Sequence, residues 1–320
     1  MATLNAYSRM TLAELASRTN NGNVIEIAEI LNKSNPIFTD MLFREANSSI
    51  GDKISRRLSL PAGTWRRVNQ GVAVEASQTQ DVIEGIGLLE ARSEIDKEIV
   101  DLSGDPVNYR RTEDMAFVEG LGQTAATALF YGNVNSDPEQ FNGLATRLAA
   151  LETNRVFSAG GSGSDLTSVY VVKWGPQYCY GIYPKGSNVG LDMEDLGVGD
   201  ALDGNGLKYR AYMSRFVWHL GLTVKDNRAI KRIANIETAG SSNIFDEDYL
   251  IAALNHLPGG PDNAVIYCNA TIATQMDIIA KDKSNVNYTR DDVFGVPTTL
   301  FRGVPVRKCD SILNTESAIS

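Results

Sequence analysis

Between Arg111 and Tyr131 the chain carries an unbroken helical pattern. Met115, Phe117, Val118, Leu121, Ala125, Leu129 and Phe130 keep an apolar stripe for about five turns. Arg111-Thr112-Glu113-Asp114 opens the run and Tyr131-Gly132-Asn133 closes it, so the spacing predicts a helix over 112–131. At ~1.5 Å per residue such a helix is about 30 Å long, enough to cross the molecule as a spine.

What precedes the helix lacks the pattern of a packed core. Leu12, Leu15 and Ala16, then Val24, Ile27, Ala28, Ile30 and Leu31, recur at helical spacing and predict two short amphipathic helices broken at Asn20-Asn21-Gly22-Asn23. Asn35-Pro36 ends the second, since the residue before proline is pushed out of the α region, and Ile37 to Asn47 reads as apolar but irregular. This is an arm. Ile54, Leu58 and Leu60 then precede Pro61-Ala62-Gly63-Thr64, and Trp65, Val68 and Val72 follow, predicting a long β-hairpin turning at 61–64. Its arms carry Arg56, Arg57, Arg66 and Arg67 with little apolar alternation, so it gains little by packing on its own domain and is expected to reach another molecule. Glu75 to Asp105 is acidic, with Glu84, Glu90, Glu94, Asp96, Glu98 and Asp101 among nine carboxylates and only partial strand alternation.

After the helix, β-rich stretches alternate with turns: Val169 to Trp174, Tyr178 to Tyr183, Tyr209 to Val217 and Val224 to Ile236. Ser241 to Leu257 reads as a helix, Ala264 to Cys268 as a buried strand, Thr271 to Lys281 as a helix and Phe301 to Lys308 as a closing strand. Ala159 to Asp165 and Leu191 to Gly206, rich in Gly and Asp, read as long loops.

Little here builds a chemical site. The formal charge of −9 argues against a protein that neutralises phosphates over its whole surface. Cys179, Cys268 and Cys309 are odd in number and widely spaced, signalling neither disulfides nor zinc and fitting a reducing cytosol. The N-terminal stretch has no basic-then-apolar signal pattern, and no apolar run approaches the ~18 residues of a membrane span. Ala159 to Asp165 lacks the Gly-Lys-Ser/Thr ending of a phosphate-binding loop and the Gly-x-Ser-x-Gly elbow of a hydrolase. His219 and His256 read as structural histidines. Asp192, Glu194, Asp195, Asp200 and Asp203 miss the spacing of a calcium loop and read as a solvated acidic loop. Trp174, Tyr178, Tyr180 and Tyr183 lack the interleaved basic residues of a base-stacking platform and read as core or interface. No catalytic residue, cofactor or metal site is expected.

Several strings carry a resemblance. Ser34-Asn35-Pro36 with Met41-Leu42-Phe43-Arg44-Glu45-Ala46-Asn47, Leu60 to Gly71 (LPAGTWRRVNQG), Leu129 to Asn133 (LFYGN), Pro138 to Ala145 (PEQFNGLA), Gly221 to Arg228 (GLTVKDNR) and Arg232 to Ile236 (RIANI) resemble, in order, the major capsid proteins of epsilon-fifteen-like podophages. The resemblance runs from about residue 5 to 312. It implies an α+β chain with the Hong Kong 97 capsid fold: an N-terminal arm at 1–47, an extended loop at 48–74, a peripheral domain at 75–137 with the spine helix, a mainly axial domain at 138–312 whose strands return to the peripheral one, and a tail at 313–320.

That resemblance implies a non-enzymatic protein that assembles with itself, as hexamers and pentamers, into the icosahedral head around double-stranded DNA. It implies a place in the virion, assembly in the bacterial cytoplasm, and as partners a scaffolding protein, a portal and a decoration protein, with no membrane. Arg56, Arg57, Arg66 and Arg67 are expected to meet the acidic segment of an adjacent subunit, Glu94, Asp96, Glu98 and Asp101 included, with Trp65 as the strongest single contact. Some capsids of this fold cross-link a Lys of the extended loop to a neighbour's Asn. Here Lys53 alone lies in the hairpin, near its base, so no cross-link is expected. The alternatives are an encapsulin-type compartment shell, a soluble enzyme, and a tail-tube or decoration protein, the last disfavoured by the long helix.

Overall fold

The computed structural model describes residues 19–20, 23–24, 35–240, 242–280, 288–293 and 296–320. The elements in chain order are β1 (Thr19–Asn20), β2 (Asn23–Val24), α1 (Ile37–Asp40), β3 (Phe43–Glu45), β4 (Gly51–Ser59), β5 (Gln78–Asp96), α2 (Lys97–Leu102), α3 (Pro106–Tyr131), α4 (Leu144–Arg147), β6 (Val156–Ser158), β7 (Leu166–Lys173), β8 (Cys179–Tyr183), β9 (Leu191–Leu202), β10 (Lys208–Val224), β11 (Ile230–Glu237), α5 (Glu247–Asn255), β12 (Ala264–Cys268), α6 (Ala270–Ala280), β13 (Tyr288–Val293), β14 (Val296–Phe301) and β15 (Val304–Lys308). They form two compact units, one of Leu88–Ala125 and Gly190–His219, the other of Ser34–Gly87, Ala126–Val189 and Leu220–Ser320.

The larger unit is built on a seven-stranded mixed sheet, ordered β13-β14-β15-β12-β7-β11-β6. Its strands β7, LTSVYVVK, and β12 are buried at every position, and β11 at all but its last. Such continuous β-branched runs are what a strand covered on both faces requires. Leu250, Ala253 and Leu254 of α5, with Ile272 and Met276 of α6, close one face over Val169, Val171, Ile233 and Ile266. On the second sheet, ordered β3-β8-β10-β5-β4, Tyr180 and Ile182 of β8 pack with Ala46 and Ile86.

The C-terminal residues are woven into this unit. The backbones of Glu316 and Leu166 exchange hydrogen bonds at 2.9 and 3.3 Å, and Ala318 N donates to Gly163 O at 3.1 Å. The Asn235 side chain accepts from Ile319 N and donates to Ile319 O, both at 2.9 Å. The Glu316 carboxylate is buried against Arg232 Nη2 at 3.0 Å and accepts from the hydroxyls of Ser168, Tyr131 and Tyr170. Burial pushes both phenols up, so they remain donors.

The smaller unit joins the first twenty residues of α3 to the ribbon β9–β10. Phe117 stacks on Phe216 with centroids 5.7 Å apart, and the Arg110 guanidinium lies 4.7 Å over Tyr212 while binding Asp195 at 2.8 Å. Arg215 holds Glu90 in a two-point fork at 2.9 and 3.0 Å. Ile99, Val100 and Tyr109 form one buried cluster in it, and Leu121, Ala125, Ala211 and Phe216 are buried as well.

The long helix begins six residues earlier than its stripe predicts, at Pro106. Asp105 caps it, its Oδ1 accepting Asn108 N at 3.2 Å, and Pro106 occupies the first turn, where its missing N–H costs nothing. It ends as expected at Tyr131. Gly132 follows because a Cβ there would lie 2.4 Å from Phe141 O and 2.5 Å from Ala128 O. Gly143, whose N–H donates to Gly132 O at 2.8 Å, is equally confined.

Other expectations shift. Leu191 to Leu202 is not a loop but strand β9, paired with β10 along its length. The stretch from Val224 to Ile236 is interrupted by a turn at 227–229, and the helix expected from Ser241 starts at Glu247 behind its cap Asp246. Phe301 to Lys308 divides at a turn between β14 and β15. The amphipathic helices of the arm lie outside the described residues, save that Val24 is in β2, paired with β1 across the Asn-Gly break.

Glu316→Ala leaves the buried guanidinium of Arg232 without its counter-charge, and is expected to lower subunit stability by about 3–5 kcal/mol in urea unfolding. Gly143→Ala places a methyl 2.7–2.8 Å from the carbonyls of Ala128 and Phe130. A loss of about 1–3 kcal/mol is expected in the same assay, with the far-ultraviolet circular dichroism spectrum unchanged.

Candidate assembly surface

The hairpin forms, but not where its sequence turn predicts. β4 pairs antiparallel with β5, Gly51 opposite Gly85 through Arg57 opposite Thr79, so the return arm is 78–85 rather than 65–74. Residues 60–77 are a loop beyond the strands. Pro61-Ala62-Gly63-Thr64 does not make the turn. The loop reverses instead at Arg67–Gln70, where Gln70 N donates to Arg67 O at 3.2 Å and Asn69 sits at φ 65°, a region Asn tolerates. One tie crosses the loop, Ala62 N to Glu75 Oε2 at 2.7 Å.

The loop's large side chains face solvent. Trp65 is 101% exposed and Val74 100%, with Leu58, Leu60 and Val68 also exposed. This is a run of apolar groups without burial inside the chain, the pattern of a surface made for contact. Arg57, Arg66 and Arg67 are exposed as well, Arg66 Nη1 reaching Gln70 O at 3.0 Å.

Arg56 departs from its expected role. Its Nη2 binds Glu84 Oε1 at 3.1 Å and also donates to Val224 O, so it is committed inside its own chain. Arg147 takes the same carboxylate through a two-point fork at 2.8 and 2.7 Å, and further donates to Asn142 O and Leu222 O. Glu84 thus sits buried between two arginines at the root of the hairpin. The sequence marks Glu84 only as one carboxylate of an acidic segment and Arg147 not at all, since a single carboxylate and a single arginine after a loop have no spacing signal. Lys53, near the same root, pairs with Asp81 at 2.9 Å.

The acidic candidates belong to the other unit. Glu94 and Glu98 are exposed; Asp96 caps α2 by accepting Glu98 N at 2.9 Å, and Asp101 pairs with Lys97 one turn away. Asp195 and Asp200 of the ribbon are held low by hydrogen bonds from Arg110 and Arg210 respectively. The aromatics serve as core: Trp174 Nε1 donates to Tyr267 OH at 2.9 Å, and Tyr180 OH to Asp52 at 2.7 Å. Among the described residues no group of three or more His, Cys, Asp or Glu is placed to hold a metal ion, and no helix is long and apolar enough to cross a membrane.

A mixed α+β chain whose core is closed while a hairpin carries apolar side chains outward has an apolar surface that its own fold leaves uncovered. The family model for major capsid protein GP7 matches residues 19–320, and the chain belongs to that family. A chain in the structure of bacteriophage Epsilon15 is 32% identical, over 99% of each chain, with a TM-score of 0.74. The capsid of bacteriophage JBD30 is 12% identical, over 95% of this chain and 99% of that one, with a TM-score of 0.51, a likeness of fold alone. An encapsulin from Synechococcus elongatus PCC 7942 is 9% identical over 73% of this chain and 96% of its own, at a TM-score of 0.44, too distant to carry an argument. No curated protein matches. The fold is Hong Kong 97-like, the family is a structural one, and the protein forms the icosahedral shell of a phage head.

Glu84→Ala leaves two guanidinium groups facing each other at the hairpin root. The expected result is a loss of about 3–5 kcal/mol in denaturant unfolding, with faster amide exchange across 51–57 and 79–85 than elsewhere.

Proposed function

We propose that the subunit assembles as hexamers and pentamers joined by the loop at 60–77 and by the N-terminal arm. The observation that carries this reading is the fully exposed Trp65 among Leu60, Val68 and Val74 on a loop whose strands are fixed at the root. Contacts that run head to tail close into rings, and a loop reaching over a neighbour is such a contact. Each can be weak, because hundreds of copies act together.

Within this reading Arg57, Arg66 and Arg67 meet Glu94, Asp96, Glu98 and Asp101 of an adjacent subunit, exposed pairs worth about 0.2–1 kcal/mol each that set register. Residues 1–47 act as the arm, 48–74 extended to the observed return at Gln78 as the extended loop, 75–137 as peripheral domain, 138–312 as mainly axial domain and 313–320 as the tail. The chain has no enzymatic role, assembles in the host cytoplasm on a scaffolding protein, incorporates a portal, accepts a decoration protein, and encloses double-stranded DNA that its net charge of −9 does not grip.

Trp65→Ala is expected to abolish closed shells in electron micrographs while leaving the unassembled subunit's melting curve unchanged, since a buried aromatic anchor contributes ~2 kcal/mol or more per contact. Reversal of Arg57, Arg66 and Arg67 to Glu is expected to give misassembled particles. Normal shells from both variants would overturn the loop's role.

A further inference from the structure

Among the described residues, cations outnumber carboxylates near the hairpin root. Beside Arg56 and Arg147 stand Arg155, binding Glu152 Oε2 at 2.7 Å, and Lys231, 1% exposed, whose Nζ donates to Asn154 O at 2.6 Å. Their charges interact. Burial lowers the proton affinity of Arg56, Glu84 opposes that, and Arg147 and Arg155 reinforce it. Burial, then Arg155, pushes Lys231 down to about 8. With Arg228 and its partner Asp226, five cations stand with four carboxylates, Glu84, Glu152, Asp226 and Asp52, the last directly across the strands from Glu84, in a protein whose net charge is −9. The Nε atoms of Arg56 and Arg155 are buried with no acceptor among the described residues. Buried donors and surplus charge of one sign are costly until an acceptor of the other sign arrives.

Arg155 is the accessible member. Its side chain keeps 16% exposure, and its partner Glu152 is 51% exposed, so that pair is weakly held. A rotation of the guanidinium, a change common when surfaces meet, presents its Nε edge to a second carboxylate. Resting on the assembly reading above, we propose that Arg155, backed by Arg56, Arg147 and Lys231, is a receptor for a carboxylate of a second copy of this chain. Charge complementarity selects that occupant: with 39 Asp and Glu against 30 Lys and Arg, each neighbour brings an excess of carboxylates.

The test uses Arg155→Lys subunits, isotopically light and heavy in equal mixture, assembled and treated with a zero-length carbodiimide that joins amines to touching carboxylates. The expected product is a cross-link from position 155 joining light to heavy peptides, present in shells and absent from unassembled subunits. In parallel, Arg155→Ala is expected to raise the subunit concentration needed for assembly by at least about tenfold with the subunit's melting temperature unchanged. Cross-links to Glu152 or Glu84 of the same chain only, in shells that form normally, would overturn the proposal. So would the absence of any cross-link together with a melting temperature raised by inorganic phosphate at constant ionic strength, which would make the occupant a small anion. Failure of the unaltered chain to form shells at all would instead overturn the assembly reading itself.

Discussion

The arrangement at Glu84 is the constraint on which the hairpin depends. A two-stranded ribbon is marginal alone in water, and this one carries a long loop whose side chains bury nothing inside the chain. Its direction is therefore decided at its root, where Arg56 and Arg147 close on one buried carboxylate and tie it to the carbonyls of Leu222 and Val224. Two-point arginine forks define orientation as well as contact. The close approach of Gly221, where a Cβ would lie 2.7 Å from Gly85 O, brings the backbones together at the same place. The root is rigid so that the loop can be free.

The two units divide the physical work differently. The seven-stranded sheet is stabilised by continuous apolar burial, with its polar groups gathered into closed networks such as that around Glu316. The smaller unit adds stacking and forks to its buried side chains, Phe117 on Phe216 and Arg215 on Glu90. Three elements, β5, α3 and β10, contribute residues to both units, so neither is a separable length of chain.

The sequence was most informative where burial is periodic or continuous. β12 lies at Ala264–Cys268 as read, and α3 ends at Tyr131 as read, because apolar runs bounded by Gly or Asn leave few alternatives. α3 starts at Pro106, behind its cap Asp105, before the apolar stripe from Met115 to Phe130 begins. β9 was mistaken for a loop since its acidic residues and glycines lack alternation, and its order comes from pairing with β10 rather than from burial. The hairpin turn was displaced because Pro-Ala-Gly-Thr is a stronger local signal than Arg-Val-Asn-Gln, while the strands' register, set at Glu84, extends the return arm to Gln78. Arg56, expected from the sequence to meet a neighbour, binds Glu84 of its own chain, a partnership between residues 28 apart that no local pattern records.

The weaving of Glu316, Ala318 and Ile319 into the sheet bears on how a head is kept uniform. Arg232, Ser168 and Tyr170 stand on β11 and β7, and the carboxylate they surround lies 84 to 148 residues further along the chain. A subunit whose Glu316 segment has not docked therefore carries an unneutralised buried cation at the centre of its larger unit. Docking of that segment acts as a proofreading step, selecting fully folded subunits for a lattice in which one defective tile would weaken every ring that it joins.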